Sequence, residues 1–298
     1  KPLVETNVSD WRRTICSDLT SCFRQFDDND ANLPFVQEKD HLQMVAASQH
    51  QPLPKGWKTL SDDELAKIEA SPKAKAAHLW QEPGTRSACA LPYELHCHGT
   101  VNPTAQHFRL HMKAGDALFG EKASGAPFNV YLYNTRASSQ RHGVAGATAP
   151  VEAMTFTVKA GDTLVEAVDL NRFKGEDYDI AVHGPNGFYR HFTGEKVAET
   201  VSVECRYRKD NPDVLELHLT NETVASMTVT LEANNYTRLR KTYVLAPSER
   251  RRIPIDLRKS KHWYDFTVSM KDTPKFAQRF AGHIETGLPS STDPAMAG

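Results

Sequence analysis

The sequence predicts a mainly β protein: two tandem β-sandwich (Ig-like) modules behind a short helical N-terminal segment. Three observations predict it. The apolar period changes from about 3.6 to 2 near Ala90, the switch from helix to strand. Beyond that point short alternating stretches are punctuated by Gly115, Gly120, Gly125, Gly161, Gly175, Gly184 and Gly187, as turns between strands require. The chain also repeats itself. Phe156-Thr157-Val158 through Asp169-Leu170 aligns without a gap on Tyr243-Val244-Leu245 through Asp256-Leu257, 87 positions later. A period of that length exceeds a solenoid unit and marks two copies of one small module. The expected division is a helical part at 1–89, a first module at 90–195, a second at 196–286 and a tail at 287–298.

In the helical part, Ser9 or Asp10 can cap a helix whose apolar stripe is Trp11, Ile15, Leu19, Phe23 and Phe26. Asp27-Asp28-Asn29-Asp30 then reads as a solvated loop, because it lacks the Gly and distal Glu of a calcium loop. A second helix is expected from Pro34 to about Ala47, with Phe35, Leu42 and Val45 inward. Ser61-Asp62-Asp63-Glu64 is a capping box that opens a short helix with Leu65 and Ile68 inside. Lys73 to His78 reads as a linker.

Strands are expected at 93–98, 106–112, 117–119, 128–133, 154–158, 164–169, 178–183 and 188–193, with an exposed loop over Gln140–Pro150. Gly184-Pro185-Asn186-Gly187 makes the last pair a hairpin, since Pro presets φ and Asn and Gly tolerate positive φ. The second copy starts near Glu199. Val201, Val203, Cys205 and Tyr207 alternate, then Leu215, Leu217 and Leu219, then Met227, Val229 and Leu231, and onward to Phe266 and Val268. Such spacing fits two-sheet sandwiches, with one face of each strand in a core.

Composition excludes several classes. Of 298 residues, 39% are hydrophobic and 24% charged, and the net charge is −1, so no global field draws nucleic acid. No apolar run approaches the roughly 20 residues of a membrane span. Cys16, Cys22, Cys89, Cys97 and Cys205 are too few, and odd in number, for a disulfide framework. The chain opens on Lys1 without a charged-then-apolar leader, which reads as an internal start.

The hairpin residues Tyr178-Asp179-Ile180-Ala181-Val182-His183-Gly184-Pro185-Asn186-Gly187-Phe188, then Arg190-His191-Phe192-Thr193-Gly194, resemble the first of two C-terminal repeats of bacterial phosphocholine-specific phospholipases C. Arg279-Phe280-Ala281-Gly282-His283-Ile284-Glu285-Thr286-Gly287, closing on Ser291-Thr292-Asp293-Pro294-Ala295-Met296, resembles the C-terminal end of the same enzymes. Trp11 to Ser21 is similar to the segment just after their catalytic core, and Gln81–Arg86 with Ala90–Leu95 to the lead-in to their first repeat. The resemblance runs in order along nearly the whole chain. It implies an accessory C-terminal region of a secreted or periplasmic enzyme that hydrolyses phosphatidylcholine or sphingomyelin to phosphocholine. It places the nucleophile and metal-binding carboxylates before position 1, so no catalytic, cofactor-binding or metal-binding residue is carried onto this chain. The implied partners are the catalytic domain of the same enzyme and, beyond it, a phospholipid surface or an accessory protein.

The alternative is a self-contained metal-dependent hydrolase built on His96, His98, His107 and His111. In a strand His96 and His98 share a side, as do His107, Arg109 and His111. Zinc needs three or four convergent ligands, and no Cys-x-x-Cys or His-Glu-x-x-His accompanies them. The plainer reading is the solvent face of amphipathic strands. Arg190 and Arg279 read as equivalent positions of the two copies, pairing with Asp179 and Asp265 in a duplicated structural role. Arg250-Arg251-Arg252 with Arg258, Lys259 and Lys261, next to Trp263 and Tyr264, could touch anionic lipid or a protein partner; a solvated edge strand defended by charge is the commoner use. There is no Gly-x-Ser-x-Gly elbow, P-loop or Rossmann fingerprint.

Overall fold

The computed structural model describes residues 38–50, 52, 59–70, 84–136, 151–198, 200–208 and 210–296. The expected helix from Trp11, the Asp27–Asp30 loop, Cys16, Cys22, Phe35, the Lys73–His78 linker and the Gln140–Pro150 loop lie outside them. Two short helices form one unit, and the β structure from Thr85 to Met296 belongs to another.

Helix α1 spans Glu38–Ser48 and α2 spans Asp62–Ala70. The capping box forms as the sequence requires: Ser61 N donates to Glu64 Oε2 at 3.1 Å, and Glu64 N to Ser61 Oγ at 3.4 Å. Leu42, Val45 and Leu65 are exposed, because each helix is short and its apolar residues are too sparse to make a core of their own.

In the β unit, β1 is Ser87–Ala88 and β16 is Ser290–Ser291. The first module holds β2 Leu95–Val101, β3 His107–Ala114, β4 Ala126–Leu132, β5 Glu152–Val158, β6 Thr163–Asp169, β7 Asp177–His183 and β8 Tyr189–Glu195. The second holds β9 Val201–Tyr207, β10 Val214–Asn221, β11 Met227–Ala233, β12 Arg240–Leu245, β13 Arg250–Asp256, β14 Trp263–Met270 and β15 Ala277–His283. Each module packs a three-stranded sheet (β2-β3-β6, or β9-β10-β13) on four strands (β5-β4-β7-β8, or β12-β11-β14-β15). Strict alternation puts Phe108, Phe128, Ile180 and Phe192 in one core and Leu217, Leu231, Phe266 and Phe280 in the other. The expected strand at 117–119 is instead a turn into a 3-10 helix at Gly120–Lys122. Gly120 sits at φ 56°, and Leu118 N donates to the Glu94 side chain rather than to a neighbouring strand.

The four-stranded sheets are not merely stacked. β8 and β15, each the last strand of its module, pair antiparallel and fuse them into one eight-stranded sheet. Each would otherwise be an open edge, and pairing satisfies both rows of backbone groups. The register has a pseudo-two-fold axis. The hairpins align at Gly194 and Gly282, each of which lies against the hydroxyl of its module's Tyr178 or Tyr264. Phe192 is then equivalent to Phe280, His191 to Arg279 and Arg190 to Gln278. Across the seam Arg190 faces Phe280 and Phe192 faces Gln278, a pair of pairs that the axis exchanges, while His191 faces Arg279 on the axis itself.

The β7–β8 turn is tied to the second module. Asn186 and Gly187 both have positive φ (56° and 71°), and Phe188 N donates to Pro185 O at 3.2 Å, as in the type I′ turns that suit hairpin twist. A Cβ at Gly187 would stand 2.9 Å from the Trp263 ring, so close approach as well as backbone shape selects glycine here.

Candidate functional site

The histidine face forms on β2 and β3. His98 lies directly opposite His111 in the register, and the rings stack with centroids 4.7 Å apart and planes within 6°. Imidazole lone pairs lie in the ring plane, and parallel planes do not converge on one ion. His96 turns to Glu94, Nε2 to Oε1 at 3.1 Å, and packs on Tyr207 of the second module at 4.6 Å. His107 lies at the other end of β3, opposite Asp169. Among the described residues no three His, Cys, Asp or Glu side chains gather as a metal would need. The four histidines of the hydrolase alternative therefore share a face without forming a centre.

Burial holds His98 below the ordinary histidine pKa, with Glu204 across the seam opposing and His111, Arg206 and His96 adding to the shift. Burial also lowers His111 against Glu204, with Arg109 adding to the shift. Glu94 is held low mainly by its hydrogen bond with His96.

The paired arginines part company. Arg279 makes the expected fork on Asp265, Nε to Oδ1 at 2.8 Å and Nη2 to Oδ2 at 2.6 Å. Arg190 does not meet Asp179. His191 takes that carboxylate, Nε2 to Oδ1 at 2.7 Å. The expected equivalence is thus corrected by one residue: the counterpart of Arg279 is His191. Arg190 is instead 1% exposed at the junction. Its Nη1 donates to the carbonyls of Tyr189 (2.8 Å) and Ala281 (2.9 Å), its Nε to Cys97 O (3.3 Å), and its Nη2 to the Tyr264 hydroxyl (3.0 Å). The guanidinium lies 4.1 Å from the Phe188 ring centroid. Tyr264 in turn meets the Tyr207 hydroxyl at 3.0 Å. A cation held by carbonyls, hydroxyls and ring faces bolts β2, β8, β9, β14 and β15 together. Sequence pattern could not find this role, because the partners come from both modules.

The basic stretch also divides. β13 is the edge of its three-stranded sheet, with Arg250 and Arg252 exposed. Arg251 is held by Glu249 (Nε to Oε1 2.8 Å) over the Tyr243 ring. Trp263 and Tyr264 are buried and face the junction rather than solvent. Cys97 and Cys205 are free and buried, and burial pushes their thiols up to about 12 and about 11. Cys89 is free and exposed.

Comparison with known proteins adds to this geometry. A family model described as bacterial phospholipase C, C-terminal domain, matches twice, over residues 87–195 and 201–283. A non-hemolytic phospholipase C of Pseudomonas aeruginosa is 32% identical over 99% of this chain and 38% of its own length. A non-hemolytic phospholipase C of Burkholderia pseudomallei is 31% identical over 98% of this chain and 37% of its own. A hemolytic phospholipase C of P. aeruginosa is 30% identical over 99% and 40%. The chain thus spans about two fifths of the length of these relatives.

Proposed function

The chain belongs to the bacterial phospholipase C family through two copies of its C-terminal domain, and from that premise we propose that it serves as the accessory region of an exported phosphocholine-releasing phospholipase C. The observation that carries this reading is the double domain match itself. Residues 90–195 and 196–286 act as the two scaffold modules, 287–298 as the tail that straps them, and 1–89 as the tail of the catalytic domain plus a linker. The substrates of the whole enzyme are phosphatidylcholine and sphingomyelin. The catalytic domain is the principal partner, and a phospholipid surface or an accessory protein meets the modules.

Phosphodiester hydrolysis needs an activated nucleophile and strong stabilisation of phosphoryl charge. The stacked His98 and His111 supply neither, which supports a chain that is inactive by itself. The fused sheet and the buried Arg190 favour a rigid platform over two independently swinging modules. The test is turnover of a chromogenic phosphocholine ester by residues 1–298 with added divalent metals, beside the same chain joined to an upstream catalytic domain. Turnover by the joined protein alone is expected. Turnover by the isolated chain that disappears in His98→Ala would restore the hydrolase alternative.

A further inference from the structure

A cleft of about 420 Å³ opens where the β1/β16 ribbon passes the turn between β13 and β14. Arg86, Arg258, Lys261 and His262 line it together with Ser290 and Ser291, and no carboxylate among the described residues does. Its size suits a small ligand.

Three features distinguish it from an ordinary charged surface. Lys261 and His262 are consecutive non-glycine residues in the left-handed region, at φ 53° and 67°. Such backbone persists only where its surroundings hold it, and here His262 N donates to Leu257 O at 3.1 Å while Ile284 N donates to His262 O at 3.0 Å. The Lys261 ammonium meets Thr85 Oγ1 at 3.2 Å and, among the described residues, no carboxylate. The Arg258 side chain, by contrast, is held by Asp256 (Nε to Oδ1 3.0 Å) and His262 by Asp213 (2.8 Å). Finally, Ser291 lines the cleft, but its hydroxyl is closed off from solvent and, among the described residues, has no hydrogen-bond partner, so a χ1 rotation is what turns it toward a ligand. Such orphans are rare and call for an explanation.

The wall is pinned from behind. Trp263 Nε1 donates to Ser291 O at 3.1 Å. Ser290 Oγ meets His283 Nε2 at 3.0 Å, and His283 Nδ1 meets Glu285 Oε1 at 3.3 Å. Asn186 Nδ2 donates to the same carboxylate oxygen at 2.6 Å. A carboxylate only accepts, so His283 Nδ1 donates to Glu285. The ribbon is therefore positioned without help from a ligand.

We propose that this cleft is a binding site for a phosphate-type oxyanion, with Lys261 as its principal charge and Ser291, once its side chain rotates into the cleft, as a hydroxyl donor. The chemistry is shared by a lipid headgroup phosphate and by free phosphate. It is independent of whether the parent protein is a phosphocholine-releasing enzyme.

The 298-residue chain is titrated with inorganic phosphate, against chloride at equal ionic strength, while the amide shifts of Lys261, His262, Ser290 and Ser291 are followed. Saturable shifts confined to this cleft are expected. Lys261→Gln weakens the affinity about tenfold, the equivalent of one charge-assisted hydrogen bond. Lys159→Gln, on an exposed turn, leaves it unchanged. Cosedimentation with phosphatidylcholine vesicles, with and without phosphatidylglycerol, identifies the source. Vesicle binding displaced by free phosphate and weakened by Lys261→Gln assigns a lipid headgroup; phosphate binding without vesicle binding assigns the free anion. Shifts no different from those in chloride, or an affinity untouched by Lys261→Gln, overturn the proposal.

Discussion

Arg190 in the first module and Gln278 in the second stand at equivalent points of the fused sheet, each opposite the other module's core phenylalanine. Both are buried, at 1% and 0% exposure. Arg190 satisfies its guanidinium with three carbonyls and a hydroxyl. Among the described residues neither the nitrogen nor the oxygen of the Gln278 amide has a partner. The pseudo-symmetric backbone thus creates two polar positions, and only one of them is built into a junction. The repeated backbone supplies the framework, and single side chains make one side of the seam the fastening point.

The sharpest way to break this comparison is Arg190→Met. It removes the side-chain donor to the carbonyls of Cys97 and Ala281 inside the seam and leaves the Tyr264 hydroxyl with Tyr207 alone. A loss of about 3 kcal/mol in unfolding free energy is expected from denaturant melts. A loss below the usual range for surface substitutions would mean that the guanidinium contributes no fastening.

Gln278→Met is the smaller, opposite experiment. It removes an amide whose desolvation is not compensated and keeps its volume. The expected outcome is neutral or stabilising by about 1 kcal/mol. If it instead costs as much as Arg190→Met, the two sites are equivalent after all and Gln278 has a partner in solution.

The alternating strands were legible because each has one core face, as in Leu215, Leu217 and Leu219. The junction was not. The motif Arg-x-Phe-x-Gly in one hairpin and Arg-Phe-x-Gly in the other invites alignment on arginine. The glycine sets the true register, because it must lie against the Tyr178 or Tyr264 hydroxyl, and one residue of slip turns a side chain to the other face. Edge pairing of β8 with β15 was equally hidden, since backbone hydrogen bonds leave no side-chain pattern. The histidines were recognised as one face. That this face meets Glu204 and Tyr207 depends on β2 lying beside β9, a contact between modules.

The histidine face supplies the mildest test of the same comparison. The gapless repeat makes β6 equivalent to β13, and the strand registers carry that equivalence to His98 with Glu204 and His111 with His218. One cross-strand position therefore holds a His–His stack in the first module and a Glu–His pair in the second. Burial lowers the pKa of both His98 and His111. The unfolded chain, with histidines near about 6.5, binds more protons than the folded chain just below that pH. Stability from this pair is fully present above that value and is lost as pH falls from there toward the folded-state pKa values. Glu204 is also lowered on balance: burial raises it, but Arg206 and His98 outweigh that. Its contribution is lost only at lower pH, where carboxylates protonate, so the two windows separate. Thermal melts between pH 7 and pH 5 should show a fall in melting temperature for the parent chain. His98→Phe, which keeps a ring on His111 and removes one titrating group, should flatten that fall while leaving the more acidic limb in place. An unchanged slope would show that the first module's stack does not resist protonation, and that the two cross-strand pairs differ in composition but not in their response to acid.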